Sequence, residues 1–117
     1  MDDPAPPCIF CKIIARKVPA REVYRCQDFV VIADSNPQAP EHLLVLPVQH
    51  VRNLSTFAAS ADPALIGLLF RIAAYHGRES SHDGFRIVVN EGVRGGQTVE
   101  HLHVHVLKGR QMGWPPG

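Results

Sequence analysis

Apolar residues recur along this chain in two rhythms. From Asp62 onward, Leu65, Leu68, Leu69, Ile72 and Tyr75 form one stripe at helical spacing. Asp62 can cap such a helix, Pro63 suits its first turn, and Gly77 fits the position just past its end. Ile9, Ile13 and Ile14 sit near the same spacing and predict a short helix after Cys8, stopped by Pro19. Elsewhere the rhythm is that of strands. "EVYRCQDFVVIA" reads as two strands joined by a turn near Gln27 and Asp28, and Phe29 to Ile32 is a continuous run of the buried type. "HLLVLPVQHV" begins as a third strand that Pro47 ends, and "GFRIVVN" is a fourth. "HLHVHVL", residues 101–107, alternates strictly, as a half-buried fifth strand would. "SNPQAP" and "EGVRGGQTVE" are loops, and residues 1–7 read as a flexible leader. The order of elements predicts one α+β domain over residues 8–117, with a mainly antiparallel sheet.

The fifth strand carries the first candidate chemistry. His101, His103 and His105 share one face of it, and Leu102, Val104 and Val106 the other. Each two-residue step is roughly 6.6 Å, so the outer rings of a straight strand lie roughly 13 Å apart. Two neighbouring rings can reach one metal ion, but all three cannot easily do so. The pattern predicts a row of imidazoles along a site. An exposed strand face that merely carries polar rings is the plainer alternative.

Bulk composition narrows the function. The 117 residues suit one domain, and 45% hydrophobic residues can fill a core. Lys and Arg number 12 against 11 Asp and Glu, with no basic run, so no nucleic-acid partner is indicated. No apolar run approaches the ~18 residues of a membrane span. The acidic, proline-rich "MDDPAPP" is unlike a signal peptide, and three cysteines fit a reducing compartment, so a cytoplasmic protein is expected.

Other groups gain meaning beside the histidines. Gly95 and Gly96 let the loop before them expose backbone N–H groups, and Gln97 and Thr98 add side-chain donors, which together suit a phosphate. Asn90 can add a donor or simply close a turn. Asp34 can cap a turn or accept two hydrogen bonds from a ribose diol. Ile9, Phe10, Ile13 and Ile32 are core residues by default, but any that border a cleft can cover a base. "CIFC" has the spacing that lets two thiolates take adjacent corners of a zinc tetrahedron; alone it is half a site, with buried thiols or a redox pair as alternatives.

"HLHVHVL" fits the pattern His, apolar, His, apolar, His, apolar, apolar. Together with "CIFCKIIARKVPA", "DSNPQAPEHLLVLPVQHV" and "FRIVVNEGVRGGQTVEHLHVHVLKGRQMGWPPG", it resembles the histidine triad nucleotide-binding proteins from nearly end to end. The nearest branch resembles the small purine nucleoside phosphoramidases. The resemblance implies a five-stranded antiparallel sheet with one long and one short helix, a homodimer, and hydrolysis of adenosine or guanosine 5′-phosphoramidates and related acyl or aminoacyl adenylates. It assigns the nucleophile to His103, which forms a covalent nucleotidyl-histidine that water cleaves. It places His105 against the phosphate, with an imidazole able to protonate the leaving nitrogen. Thr98, usually serine in this branch, matches the position bonding the scissile region.

Asn90, Gly96 and Gln97 match phosphate-side positions, Asp34 the ribose carboxylate, and Ile9, Phe10, Ile13 and Ile32 the base pocket. His42 matches a supporting hydrogen-bonder, and Trp114 lies in a tail that reaches the partner's site. Relatives with the cysteine pair often bind a structural zinc through positions matching Cys8, Cys11, His50 and His101, with no cofactor needed for catalysis. Cys11, Ser35 and Glu100 depart from residues usual in the family. A sister branch cleaves dinucleoside polyphosphates, and other members are described as non-catalytic interaction proteins.

Overall fold

The computed structural model describes residues 8–79 and 83–117; the expected leader lies outside them. Helix α1 (Ile9–Ile14) is followed by strands β1 (Glu22–Arg25), β2 (Phe29–Ala33) and β3 (Glu41–Pro47). Helices α2 (Leu54–Ser60) and α3 (Pro63–Arg78) come next, then β4 (Arg86–Val89), the one-turn helix α4 (Gly92–Gly95) and β5 (Val104–Lys108). The strands form one antiparallel sheet in the order β1-β2-β3-β5-β4.

The alternation in sequence becomes two cores, one on each face of the sheet. Phe29, Val31, Leu43, Val45, Val104 and Val106 pack with Phe57 of α2 and with Leu69, Ile72 and Ala73 of α3. Val30, Ile32, Leu44 and Leu46 point the other way and pack with Cys8 and Phe10 at α1. This explains the unbroken apolar run of β2: both of its faces are covered. The register sets Leu44 and Val88 on either side of His105, so that ring stands on the α1 face.

Several expectations are corrected. The helical stripe turns away from Tyr75, which is 63% exposed, and continues instead through Ala73 and His76. Gly77 lies inside α3, and Glu79 caps its end. A Cβ on Gly77 would sit 2.4 Å from the Phe85 ring, so glycine is there for close packing. Gly77→Ala should therefore destabilise the fold by about 1–3 kcal/mol through overpacking, despite alanine's better helix propensity. Urea unfolding checks this, and an unchanged midpoint would refute it. Pro19 does not stop α1. The helix ends at Ile14, and Arg16, in the left-handed region at φ 61°, turns the chain. Beyond the expected long and short helices, α2 is capped by Asn53, whose side chain accepts from the Thr56 N–H, and α4 forms within the glycine loop.

The fifth strand begins only at Val104. Pro47 has no N–H for a ladder partner, and its carbonyl accepts from the His101 ring at 3.0 Å. The Leu102 N–H donates to Val51 instead. At the other end of β5, the buried Lys108 ammonium donates to the His76 and Glu79 carbonyls, closing the C-terminus of α3. Among the described residues no helix is long and apolar enough to cross a membrane.

Candidate active site

Residues from four parts of the chain converge on the α1 face of the sheet. They line a cleft of about 520 Å³. Ile9, Phe10 and Ile13 of α1 and Ile32 of β2 form an apolar wall; Asp34 follows β2; Thr98, His103 and His105 stand at the opposite end of the chain. Eight of the residues expected from sequence thus share one cleft.

The hydrogen bonds assign a role to each imidazole. Nδ1 of His103 lies 2.7 Å from the His101 carbonyl oxygen. A carbonyl only accepts, so Nδ1 carries the proton, and Nε2 of neutral His103 keeps a lone pair. The ring is buried and meets Phe10 edge-on at 5.1 Å, which limits its rotation. His105 is fixed by a chain of donors. The Gln38 N–H donates to His42 Nδ1 at 3.0 Å, so His42 carries its proton on Nε2. That Nε2–H donates to His105 Nδ1 at 2.8 Å, which leaves the His105 proton on its own Nε2. Burial first, then the neighbouring His103 and His42, push the His105 pKa down to about 4. Burial also lowers that of His42, against the opposing pull of Asp34.

These shifts carry a sign. Both rings are held neutral in the fold, so the unfolded chain binds more protons below its ordinary histidine pKa, 6.5. Their contribution is complete above pH 6.5 and is lost as pH falls toward about 4. The melting temperature should drop across that window, and the drop should shrink in His42→Gln. An equal drop in the variant would contradict the assignment.

His101 faces the other way. Its Nε2–H donates to Pro47, which frees Nδ1 as a lone pair. That lone pair lies 3.3 Å from Cys8 Sγ and 3.6 Å from Cys11 Sγ, and His50 Nδ1 lies 3.2 Å from Cys11 Sγ. All four donor atoms fall within 4.8 Å of one another. Sulfur–nitrogen edges of a zinc tetrahedron are about 3.6 Å, from bonds of about 2.3 and 2.05 Å. The donors therefore fit a closed four-ligand metal site, and Pro47 is the outer partner that orients one ligand. Asp34, His42 and His105 also cluster within 4.8 Å. They fit a metal poorly, because the Gln38 N–H occupies His42 Nδ1 and keeps a proton on the nitrogen that would have to bind.

Some expected residues lie elsewhere. Gln97 does not offer its amide to the cleft: it donates to the Arg52 and Val99 carbonyls and accepts from the Gly92 N–H. Gly96 takes the left-handed conformation that ends α4. Neither residue lines the cleft, nor does Asn90. Trp114 is 83% exposed in the single chain. Arg21 lines the cleft without having been anticipated as a binding group, and Ser35, which departs from the family's usual residue beside the ribose position, lines it too.

The comparisons agree with this geometry. Residues 15–112 match the family model described as the HIT domain. An uncharacterised HIT-like protein of Synechococcus elongatus is 45% identical over 109 residues, covering 93% of this chain and 96% of the relative. A protein of Zea mays named as a 14 kDa zinc-binding protein is 42% identical over 115 residues, covering 95% and 88%. The crystal structure of a HIT family hydrolase from Legionella pneumophila superposes with a TM-score of 0.85 at 38% identity, covering 94% and 99%. With the histidine row, its cleft and its five-stranded sheet in place, the chain belongs to the HIT domain family.

Proposed function

We propose that this protein hydrolyses purine nucleoside 5′-phosphoramidates through a nucleotidyl-histidine intermediate. The observation that carries the reading is the His103 tautomer: its Nδ1–H is held by the His101 carbonyl, so Nε2 is a ready nucleophile. The named Legionella hydrolase supports hydrolysis as the reaction type. In the first step the Nε2 lone pair attacks the α-phosphorus. An N–P bond forms to His103, the P–N bond to the leaving group breaks, and the departing nitrogen takes a proton from solvent. In the second step water attacks phosphorus, the His103–phosphorus bond breaks, and the nucleoside monophosphate leaves with the water's oxygen.

His105, neutral and protonated on Nε2, serves as a hydrogen-bond donor to a phosphate oxygen. This differs from the expectation that an imidazole protonates the leaving nitrogen, because burial disfavours the charged form that would do so. Thr98 offers a hydroxyl to the same cleft. Asp34 would hold the ribose: Oδ1 accepts the Asn36 N–H at 2.8 Å, and Oδ2 stands 3.4 Å from His42. Rapid base quench of labelled substrate, which preserves an acid-labile P–N bond, should trap label on the wild-type protein and none on His103→Ala. Turnover without any trapped label at all times would count against the intermediate.

Cys8, Cys11, His50 and His101 would hold a structural zinc, as the Zea mays relative's name suggests. All four ligand places are filled by protein, so the ion would fasten the N-terminal segment to the histidine row. We also propose a homodimer in which the exposed Trp114 is covered by the partner. Sedimentation equilibrium should give twice the mass of one chain, and a fully active monomer would refute the pairing.

A further inference from the structure

The cleft contains one arginine, and nothing in the reaction above uses it. Arg21 lines the cleft together with Ile13 and Asp34. Its carbonyl accepts the Ala33 N–H at 2.9 Å, so its backbone is tied to the strand that leads into Asp34. The acids around it are engaged. Glu22 is taken by Arg16 and Arg25, and Asp34 by the Asn36 N–H and His42. Among the described residues, no ion pair or side-chain hydrogen bond holds the Arg21 guanidinium. A cation with five donors thus borders a cleft whose nearby wall, Ile9, Ile13 and Ile32, can bond to nothing.

If Asp34 holds the ribose, the base extends along this apolar wall, away from Thr98, His103 and His105. The polar side chains available there are Arg21 and Ser35. Guanine presents two adjacent acceptors, N7 and O6, on one edge, which a guanidinium can meet with two parallel bonds. Adenine presents N7 beside an amino group, and that amino group would face the arginine donor against donor. A serine hydroxyl can donate or accept and so discriminates little.

We propose that Arg21 reads the O6/N7 edge of a 6-oxopurine, making this a guanine-preferring member of its family. The inference rests on the nucleotide-cleft reading above. A good bidentate arginine–guanine pair discriminates by about 1–3 kcal/mol, so the preference should be about 5- to 150-fold.

Calorimetric titration of the whole protein with GMP, IMP and AMP tests it. GMP and IMP should bind at least about fivefold tighter than AMP, because IMP keeps O6 and N7 but lacks the 2-amino group. In Arg21→Met, an exposed replacement that leaves the fold intact, the ratio between GMP and AMP should fall to about one. Four outcomes would overturn the assignment while leaving the nucleotide cleft standing: equal affinities in the wild type; IMP binding like AMP, which points to the 2-amino group; a preference that survives Arg21→Met; or equal weakening of both nucleotides, which means stacking on the base. No binding of any of the three nucleotides would overturn the cleft reading itself.

Discussion

Replacing His103 with alanine is expected to lower phosphoramidate hydrolysis by at least about 10⁴-fold, while nucleoside monophosphate binding changes only a few-fold. The two readouts separate because different groups serve them. The proposed attacking atom is one nitrogen, whose lone pair is free because the His101 carbonyl holds the proton on the other. Binding would draw instead on the α1 wall, on Asp34 and on the His105 donor, which all remain, although the change removes the ring contacts that His103 makes with Phe10 and His105. The melting temperature of the variant must therefore be measured beside its kinetics. His105→Ala should cost less, about 10²-fold, since it removes a donor to the phosphate rather than the bond-forming atom. A His103→Ala protein that folds and keeps a tenth of wild-type turnover would place the nucleophile elsewhere.

The sequence revealed which residues meet in the cleft better than it revealed how each is used. Period-two alternation made the two faces of β5 readable, because a strand of fixed pitch leaves a side chain only two directions. The unbroken apolar runs of β2 and β3 show only that both of their faces are covered. It was the family resemblance, not this alternation, that put Ile32, Asp34 and His105 in one site. The first two members of the histidine row escaped the same logic. His101 and His103 lie before the strand, where backbone bonds to Val51 and side-chain bonds to Pro47 set their directions. Such bonds join residues some fifty positions apart, and no local rhythm encodes them. Gln97 illustrates the converse. Its position beside two glycines suggested an amide offered to phosphate, but the loop folds back on itself and consumes both ends of that amide. Arg21 was unreadable because its importance lies in a lack of partners, which only the positions of Glu22 and Asp34 reveal.

If zinc fills the Cys8, Cys11, His50 and His101 cluster, its loss should give the largest change in stability. Zinc added to apo protein at about a thousand times its dissociation constant would stabilise the fold by about 4 kcal/mol. For a domain of this size that corresponds to a melting temperature higher by about 15 °C. Wild-type protein should carry about one zinc per chain by elemental analysis, and chelation should remove both the zinc and the stabilisation. Cys8→Ser is an informative variant. Cys8 also caps α1, its sulfur accepting the Cys11 N–H at 3.3 Å, and serine is itself a good cap. The substitution therefore keeps the helix start and removes one metal ligand. His50→Ala completes the argument, because His50 is exposed and touches the cluster only through the His101 ring and the Cys11 sulfur. Without zinc it should melt close to the wild type, and with zinc it should fall well below it. The thiols add a second, optical readout. Burial and then Cys8 push the Cys11 thiol up to about 11, so in the absence of metal it stays protonated at neutral pH. Cobalt(II) bound in place of zinc needs the thiolate and should bring a sulfur-to-metal absorption band that Cys11→Ser weakens. Less than a tenth of an equivalent of zinc in protein prepared with zinc present, together with no cobalt band, would rule the metal out and leave Cys8, Cys11, His50 and His101 as a purely hydrogen-bonded cluster.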